Sequence, residues 1–249
     1  MVKIVIFIEN KSKDAAHHFS IEELFTRIIK LSEPVLMLWQ TDNTVMLGNN
    51  QIVEAEVDLD FAAKTNINIV RRSSGGGAIY TDNGTILYTV IQPLTENAKF
   101  IREETAENVI DVLKNIGVSA YREGRNDILL DGKKISGFAQ YTSGKHICTH
   151  GSLLYDADIE NLTSALIPND DKLQPKGIAS IRSRVTNIRP YVNENYSTAD
   201  FFNILKEGLL ANTQYRTYKL SNEELAKVEK IKNDKYGNSE WNFNYNLKG

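Results

Sequence analysis

The run Arg71-Arg72-Ser73-Ser74-Gly75-Gly76-Gly77-Ala78 sets two guanidinium groups beside three consecutive glycines. Glycine loses the most backbone freedom on ordering, so three in a row inside a fold need a reason. A loop without Cβ atoms exposes its N–H groups, and a concave turn of such groups binds phosphate or carboxylate, with arginine as a natural helper. A tight connection between two strands is the other use of the same residues, and the motif alone leaves both open. The glycines are not spaced as in the dinucleotide fingerprint, nor do they end in Gly-Lys-Ser/Thr, so hydride transfer on a doubly wound sheet is disfavoured.

Lys134 follows an Asp131-Gly132 pair of the two-residue hairpin type. A lysine there is ordinarily a solvated edge residue that discourages strand aggregation. Its flanks change that reading, because Gly124-Arg125-Asn126-Asp127 precedes it and Ile135-Ser136-Gly137-Phe138-Ala139 follows with a glycine that permits close approach. Both flanks look like the wall of a pocket. His146, Cys148 and His150 alternate along one strand. Residues two apart on a strand are separated by about 6.6 Å, too far to converge on a metal held at roughly 2.0–2.3 Å, so no metal site is expected. Cys148 as a thioester nucleophile lacks a partner beyond the histidines, and a buried structural thiol is the plainer reading. His17 and His18 read as a solvated loop before the first helix.

These residues need elements to hold them. An apolar run near Val2–Ile8 predicts a strand. Ser20-Ile21-Glu22-Glu23 has the form of a capping box, and Ile21, Leu24, Phe25, Ile28 and Ile29 recur at helical spacing. Residues 34–39, 44–47, 67–70 and 85–92 predict strands, so the glycines fall between strands, and 53–64 predicts a surface helix. A helix over 103–116 precedes strands that run to Tyr155, and helices follow over 158–166, 198–210 and 223–232. Such clustering predicts an α+β fold, a sheet layered by helices. Without repeats or linkers, residues 1–249 read as a single domain.

Bulk composition bounds the function. With 41% hydrophobic and 24% charged residues the chain can bury a sizeable core. A formal charge of −3 argues against a general nucleic-acid binder. No apolar run reaches the roughly 18 residues of a membrane span, and no cleavage site follows the first strand. One cysteine in the whole chain suits a reducing compartment, so a cytoplasmic, soluble protein is expected, with neither membrane nor nucleic acid as partner.

Taken in order, Arg71 to Tyr80, Gly124 to Asp127, Lys134 to Ala139, His150-Gly151-Ser152-Leu153-Leu154 and Ser180 to Asn187 resemble the lipoate–protein ligase A family, over about Ile21 to Phe243. The resemblance implies the biotin/lipoate ligase catalytic-domain fold, a mixed, largely antiparallel sheet flanked by helices and related to the class II tRNA synthetase core. It implies that lipoate and ATP, with Mg2+, form lipoyl-adenylate and pyrophosphate, and that a lysine of an acceptor then attacks the mixed anhydride. The implied acceptors are lipoyl domains of oxo-acid dehydrogenase complexes or the glycine-cleavage carrier protein.

Carried onto this chain, the resemblance implies that Arg72, Gly75, Gly76, Gly77, Ala78, Ile79 and Tyr80 meet nucleotide or lipoyl group, together with Asn126, Asp127, Gly137 and Ala139. Lys134 is the implied catalytic residue, touching lipoyl carbonyl and phosphate. His150 with Gly151 shapes the pocket floor. Residues 176–187 look like an adenylate-binding loop in which Arg182 and Arg184 close over the phosphate; a basic surface loop is the alternative.

Thr81 stands where the family usually carries histidine, and Gly48-Asn49-Asn50-Gln51 where glycine-arginine-x-glutamine is usual. Many relatives continue into a small accessory domain beyond the point where this chain ends, so that domain is expected to be absent. Three rivals follow: a lipoyl transferase that needs a separate accessory-domain protein or a pre-activated lipoyl group, an octanoyl transferase acting through cysteine, and a non-catalytic module binding adenylate or RNA.

Overall fold

The computed structural model describes residues 4–29, 32–94, 98–167 and 184–244. Strand β1 (Ile4–Ile8) leads to helix α1 (Ala15–Glu23), which runs into a π turn over Leu24–Ile28. Strands β2 (Val35–Trp39) and β3 (Thr44–Leu47), short helices α2 (Val53–Glu56) and α3 (Leu59–Lys64), and strands β4 (Asn68–Arg71), β5 (Ile79–Thr81) and β6 (Thr85–Pro93) follow. Helix α4 (Ala98–Asn115) precedes four successive strands, β7 (Tyr121–Glu123), β8 (Asp127–Leu130), β9 (Lys133–Ser143) and β10 (His146–Leu154). The rest comprises α5 (Ile159–Ala165), α6 (Thr198–Leu210), β11 (Gln214–Tyr218), α7 (Asn222–Ile231) and α8 (Ser239–Asn244).

Eight strands form one sheet in the order β11-β1-β2-β6-β10-β9-β8-β7, and β4-β3-β5 form a second, smaller one. Only β11-β1 and β1-β2 pair in parallel in the large sheet, so it is largely antiparallel, as expected. Strands β2 and β10 are buried along their whole length, which suits their apolar composition and central place. Helices α4 and α6 cover one face through Val109, Leu113, Phe201 and Leu205; α1 and α7 cover the other through Phe19, Leu24 and Val228. The small sheet packs its Val45, Leu47 and Tyr80 on α2, α3 and α5. Trp39 is 2% exposed at the centre of the second face; truncating such a ring costs about 3–5 kcal/mol.

Several expectations need correction. The first helix starts at Asp14, whose side chain accepts from Ala16 N, and not at Ser20. Ser20 is buried mid-helix and its hydroxyl donates to Ala16 O at 2.7 Å, so the apparent capping box is a helical interior. His17 and His18 are therefore helical, and His18 is fully buried against Trp39 with ring centroids 4.3 Å apart. The helix expected over 53–64 is two, parted at Val57, which is buried and forms a bridge to Leu166. Strand β11 was not anticipated; its Gln214 to Thr217 are exposed, so no apolar alternation marks it.

Candidate active site

The hairpin between β8 and β9 turns at Asp131 (φ 50°) and Gly132 (φ 72°), the left-handed pair that a two-residue turn requires. Just beyond it, a register shift between Ile128 and Leu129 leaves Leu129 opposite Lys134 and Ile128 opposite Ser136. Asp127 lies across the ladder from Gly137. The Lys134 ammonium reaches back to Asp127 Oδ1 at 2.8 Å, both side chains being partly exposed. It passes directly over Gly137, where a Cβ would stand 3.0 Å from both Cε and Nζ. Glycine at 137 is thus the space in which the lysine lies.

Two cavities meet at this lysine. The deep one is walled by Phe19, Trp39, Met46, Leu87 and Phe138. The open one, the larger of the two, runs past Tyr80, Arg125, Ser152 and Arg184. Gly77, Ala78, Ile79, Asn126, Asp127, Lys134 and Gly137 line both. An apolar chain in the first and a polar group in the second would therefore join beside the ammonium.

The expected site residues fall into clear places. Arg72, Gly76, Ala139 and His150 line the deep cavity only, and Tyr80 and Arg184 the open one only. Gly75 lines neither. Arg182 and Lys176 lie outside the described residues. Burial, then the nearby Asp82 carboxylate, pushes the Tyr80 phenol up to about 12. Thr81, at the position usually histidine, pairs its hydroxyl with that of Thr41 at 2.7 Å.

The two loop arginines were expected to help bind an anion. Arg71 does not: its guanidinium donates to the carbonyls of Gly48, Gln51, Trp241 and Asn242, away from the cavity. Arg72 lines the cavity but turns its donors on the loop itself, Nε to Ser74 Oγ at 3.0 Å, Nη1 to Met46 O at 2.9 Å, and Nη2 to Gly75 O and Gly77 O at 3.0 and 2.8 Å. Burial lowers its pKa to about 10 against the raising influence of Glu22, so it remains a cation at neutral pH. In a trans peptide the N–H points opposite the C=O. Pinning Gly75 O and Gly77 O to Arg72 therefore turns the N–H groups of Gly76 and Ala78 the other way, and both residues line the cavity. Among the described residues, no acceptor takes these two N–H groups. The glycine loop, held from behind by Arg72, thus presents two unpaired N–H groups in a concave turn, the kind of arrangement that can take an anion.

Glu22 and Ser74 were missed by sequence reasoning. Glu22 is 1% exposed and accepts from Thr89 Oγ1 at 2.7 Å, while its two carboxylate oxygens lie 2.9 and 3.0 Å from His150 Nδ1. The other ring nitrogen, His150 Nε2, is 2.6 Å from Ser74 Oγ. The order Glu-His-Ser resembles a hydrolytic triad, but Ser74 is fully buried and already engaged by Arg72, so its oxygen is not offered to a substrate. Ligand atoms of Glu22, Cys148 and His150 lie within 4.8 Å of one another, whereas His146 is not part of that group. Cys148 is buried, and burial followed by the Glu22 charge pushes its thiol well above the usual range, as suits a structural thiol.

The model of the lipoyl protein ligase A/B catalytic domain matches residues 14–210. The probable lipoate-protein ligase A of Mycoplasma pneumoniae is 37% identical over 236 residues, 91% of this chain and 68% of that one. Lipoate-protein ligase LplJ of Bacillus subtilis is 32% identical over 243 residues, 96% and 73% of the two chains. Among curated relatives at this level the chain spans between 65% and 74% of their length. A bipartite lipoate protein ligase of Thermoplasma acidophilum, solved in a study that includes its E2 lipoyl domain, superposes with a TM-score of 0.87 at 25% identity, covering 99% of this chain and 98% of that one. A lipoate-protein ligase A bound with ATP gives 0.85 at 24% identity, covering 98% and 99%.

Proposed function

Since this chain belongs to the lipoyl protein ligase A/B catalytic-domain family and has its catalytic fold, we propose that it is an ATP-dependent lipoate–protein ligase whose catalytic residue is Lys134. The observation that carries this is the meeting of the two cavities at the Lys134 ammonium, 2.8 Å from Asp127. The cavity walled by Phe19, Trp39, Met46, Leu87 and Phe138 suits the lipoyl chain, and the one reached by Arg125 and Arg184 suits the adenylate.

In this arrangement the lipoate carboxylate and the α-phosphate of ATP lie between the glycine loop and Lys134. Attack of the carboxylate on phosphorus releases pyrophosphate and forms the mixed anhydride. The acceptor lysine, once deprotonated, attacks the acyl carbon; the C–N bond forms and the bond to the phosphate oxygen breaks. Charge develops on the acyl oxygen and on the leaving phosphate, and a fixed ammonium beside both is help worth roughly 3–4 kcal/mol. The N–H groups of Gly76 and Ala78 hold the lipoate carboxylate in place before it reacts. Asn126 and Asp127 supply the oxygen donors that a hard cation takes, so magnesium entering with ATP would find ligands there and neutralise phosphate charge.

Lipoyl domains of oxo-acid dehydrogenase complexes or the glycine-cleavage carrier protein are the acceptors in this proposal, and Arg184, which lines the open cavity, meets the adenylate. The cytoplasm, where ATP is plentiful and a lone thiol such as Cys148 stays reduced, is the proposed setting; no helix among the described residues is long and apolar enough to cross a membrane. Lipoate-dependent exchange of labelled pyrophosphate into ATP tests activation directly. Exchange supports the ligase. A folded chain that transfers supplied lipoyl-adenylate but gives no exchange would be a transferase that relies on a separate activating or accessory protein.

A further inference from the structure

The buried carboxylate of Glu22 has no part in the chemistry above, yet it stands at the head of a continuous polar chain that ends on the glycine loop. Trp39 Nε1 donates to Thr89 Oγ1 at 3.0 Å, and Thr89 donates to Glu22 at 2.7 Å. Glu22 is paired with His150 Nδ1, His150 Nε2 with Ser74 Oγ, and Ser74 Oγ accepts from Arg72 Nε. Arg72 in turn holds Gly75 O and Gly77 O. Every side chain from Trp39 to Arg72 along this route is buried.

Hydrogen-bond direction along the route is determined by its ends. A guanidinium can only donate, so Ser74 Oγ accepts from Arg72. The oxygen has a second lone pair, but Ser74 is fully buried and, among the described residues, its hydroxyl meets only Arg72 and His150, so its own proton finds an acceptor at His150 Nε2 alone. With that nitrogen accepting, the ring proton lies on Nδ1, facing Glu22. Free imidazole prefers the opposite tautomer, with its proton on Nε2. A carboxylate at Nδ1 is what reverses that preference.

We infer that Glu22 is a positioning residue for the anion-binding loop: it holds His150 in the Nδ1–H tautomer, and through Ser74 it orients Arg72, which turns the N–H groups of Gly76 and Ala78 toward the ligand. It also supplies the negative charge that offsets the buried Arg72 cation without touching it. A direct salt bridge would draw the guanidinium off the loop carbonyls; the His150–Ser74 spacer keeps the charges balanced and leaves Nη2 free to hold both Gly75 O and Gly77 O. Glu22 never meets substrate, so removing it should weaken capture of the carboxylate rather than slow the chemistry.

The tautomer assignment stands independently of the ligase reading, whereas its kinetic consequence rests on that reading. The chain has 4 histidines, so ring nitrogen–proton correlation spectra of the full 15N-labelled chain are simple, and the His150 signals are identified by their loss in His150→Asn. The expected pattern is a protonated Nδ1 and an unprotonated Nε2; a protonated Nε2 overturns the relay. In lipoate-dependent pyrophosphate exchange, Glu22→Gln and Ser74→Ala, which cut the relay at opposite ends, are each expected to raise the KM for lipoate at least fivefold, with kcat within twofold of wild type. An unchanged KM, or a loss confined to kcat, in variants with wild-type circular dichroism overturns it. Should Glu22→Gln fail to fold, the smaller Ser74→Ala change reads the same route. A wild-type chain without exchange removes the ligase reading and leaves the tautomer to decide the relay.

Discussion

Arg71 and Arg72 are neighbours in the chain, yet their guanidinium groups serve different segments: Arg71 holds the 48–51 turn, and Arg72 holds the glycine loop. Arg71 clamps the 48–51 turn to Trp241 and Asn242 of α8, and its own carbonyl accepts from Trp241 Nε1 at 2.9 Å. Arg72 holds the loop carbonyls beside the deep cavity. Two neighbouring carboxylates divide in the same way: Glu23 meets Lys235, Tyr236 and, through that hydroxyl, Ser73, while Glu22 meets His150 and, through that ring, Ser74. One side anchors the C-terminal helices, the other the site.

Lysine cannot imitate either arginine, because five donors spread over a planar fork are replaced by three at one point. Arg72→Lys is expected to lower stability by about 1–3 kcal/mol and to raise the KM for lipoate at least tenfold. Arg71→Lys is expected to cost similar stability with a KM within threefold of wild type. Urea unfolding and exchange kinetics on the two variants separate them.

Lys134→Ala should reduce transfer to an acceptor by roughly 10²–10³-fold and leave the melting temperature nearly unchanged, since the side chain is 38% exposed and packs on little. Steady-state transfer and a thermal melt check both halves.

Gly137→Ala should displace the lysine without disturbing the sheet, because the added Cβ would stand 3.0 Å from Lys134 Cε and Nζ, the movable end of a flexible chain. A fall in transfer rate of about tenfold, on the order of 1.4 kcal/mol, with an unchanged melt, is the expected outcome. Gly48→Ala is the contrast: its Cβ would meet the backbone oxygen of Gly76 at 2.0 Å, so the fold itself should suffer.

Acid should weaken the fold through His18. Burial lowers its pKa to about 3 from an ordinary value of 6.5, so the folded ring stays unprotonated where the unfolded one takes a proton. The stability this contributes is complete above 6.5 and is lost as pH falls from there toward 3. Between pH 7 and pH 5 the loss from this group is about 2 kcal/mol, read as a drop in urea midpoint, and His18→Gln should flatten that part of the profile.

Much of the site was legible because it is local. Hairpin, lysine and facing glycine lie within a dozen residues, and turn chemistry and strand pairing follow from nearest neighbours. The division of labour between Arg71 and Arg72 was readable in principle, since successive strand residues face opposite sides, but which side held the cavity was not. Glu22 escaped because its partner His150 lies 128 residues away, and no periodicity links a helix to a strand across that distance. His18 escaped with it: placing the helix start at Ser20 put both histidines in solvent, when the spacing of Ala15, Phe19 and Glu22 already marks one buried helical face.

The most direct test supplies lipoyl-adenylate and a lipoyl-domain acceptor to the purified chain and follows the acceptor by intact-mass spectrometry. Wild type is expected to add one lipoyl group to a single acceptor lysine, and Lys134→Ala to leave the acceptor mass unchanged. A folded wild-type chain that never modifies the acceptor, or a Lys134→Ala chain that does so at the wild-type rate, would contradict the account.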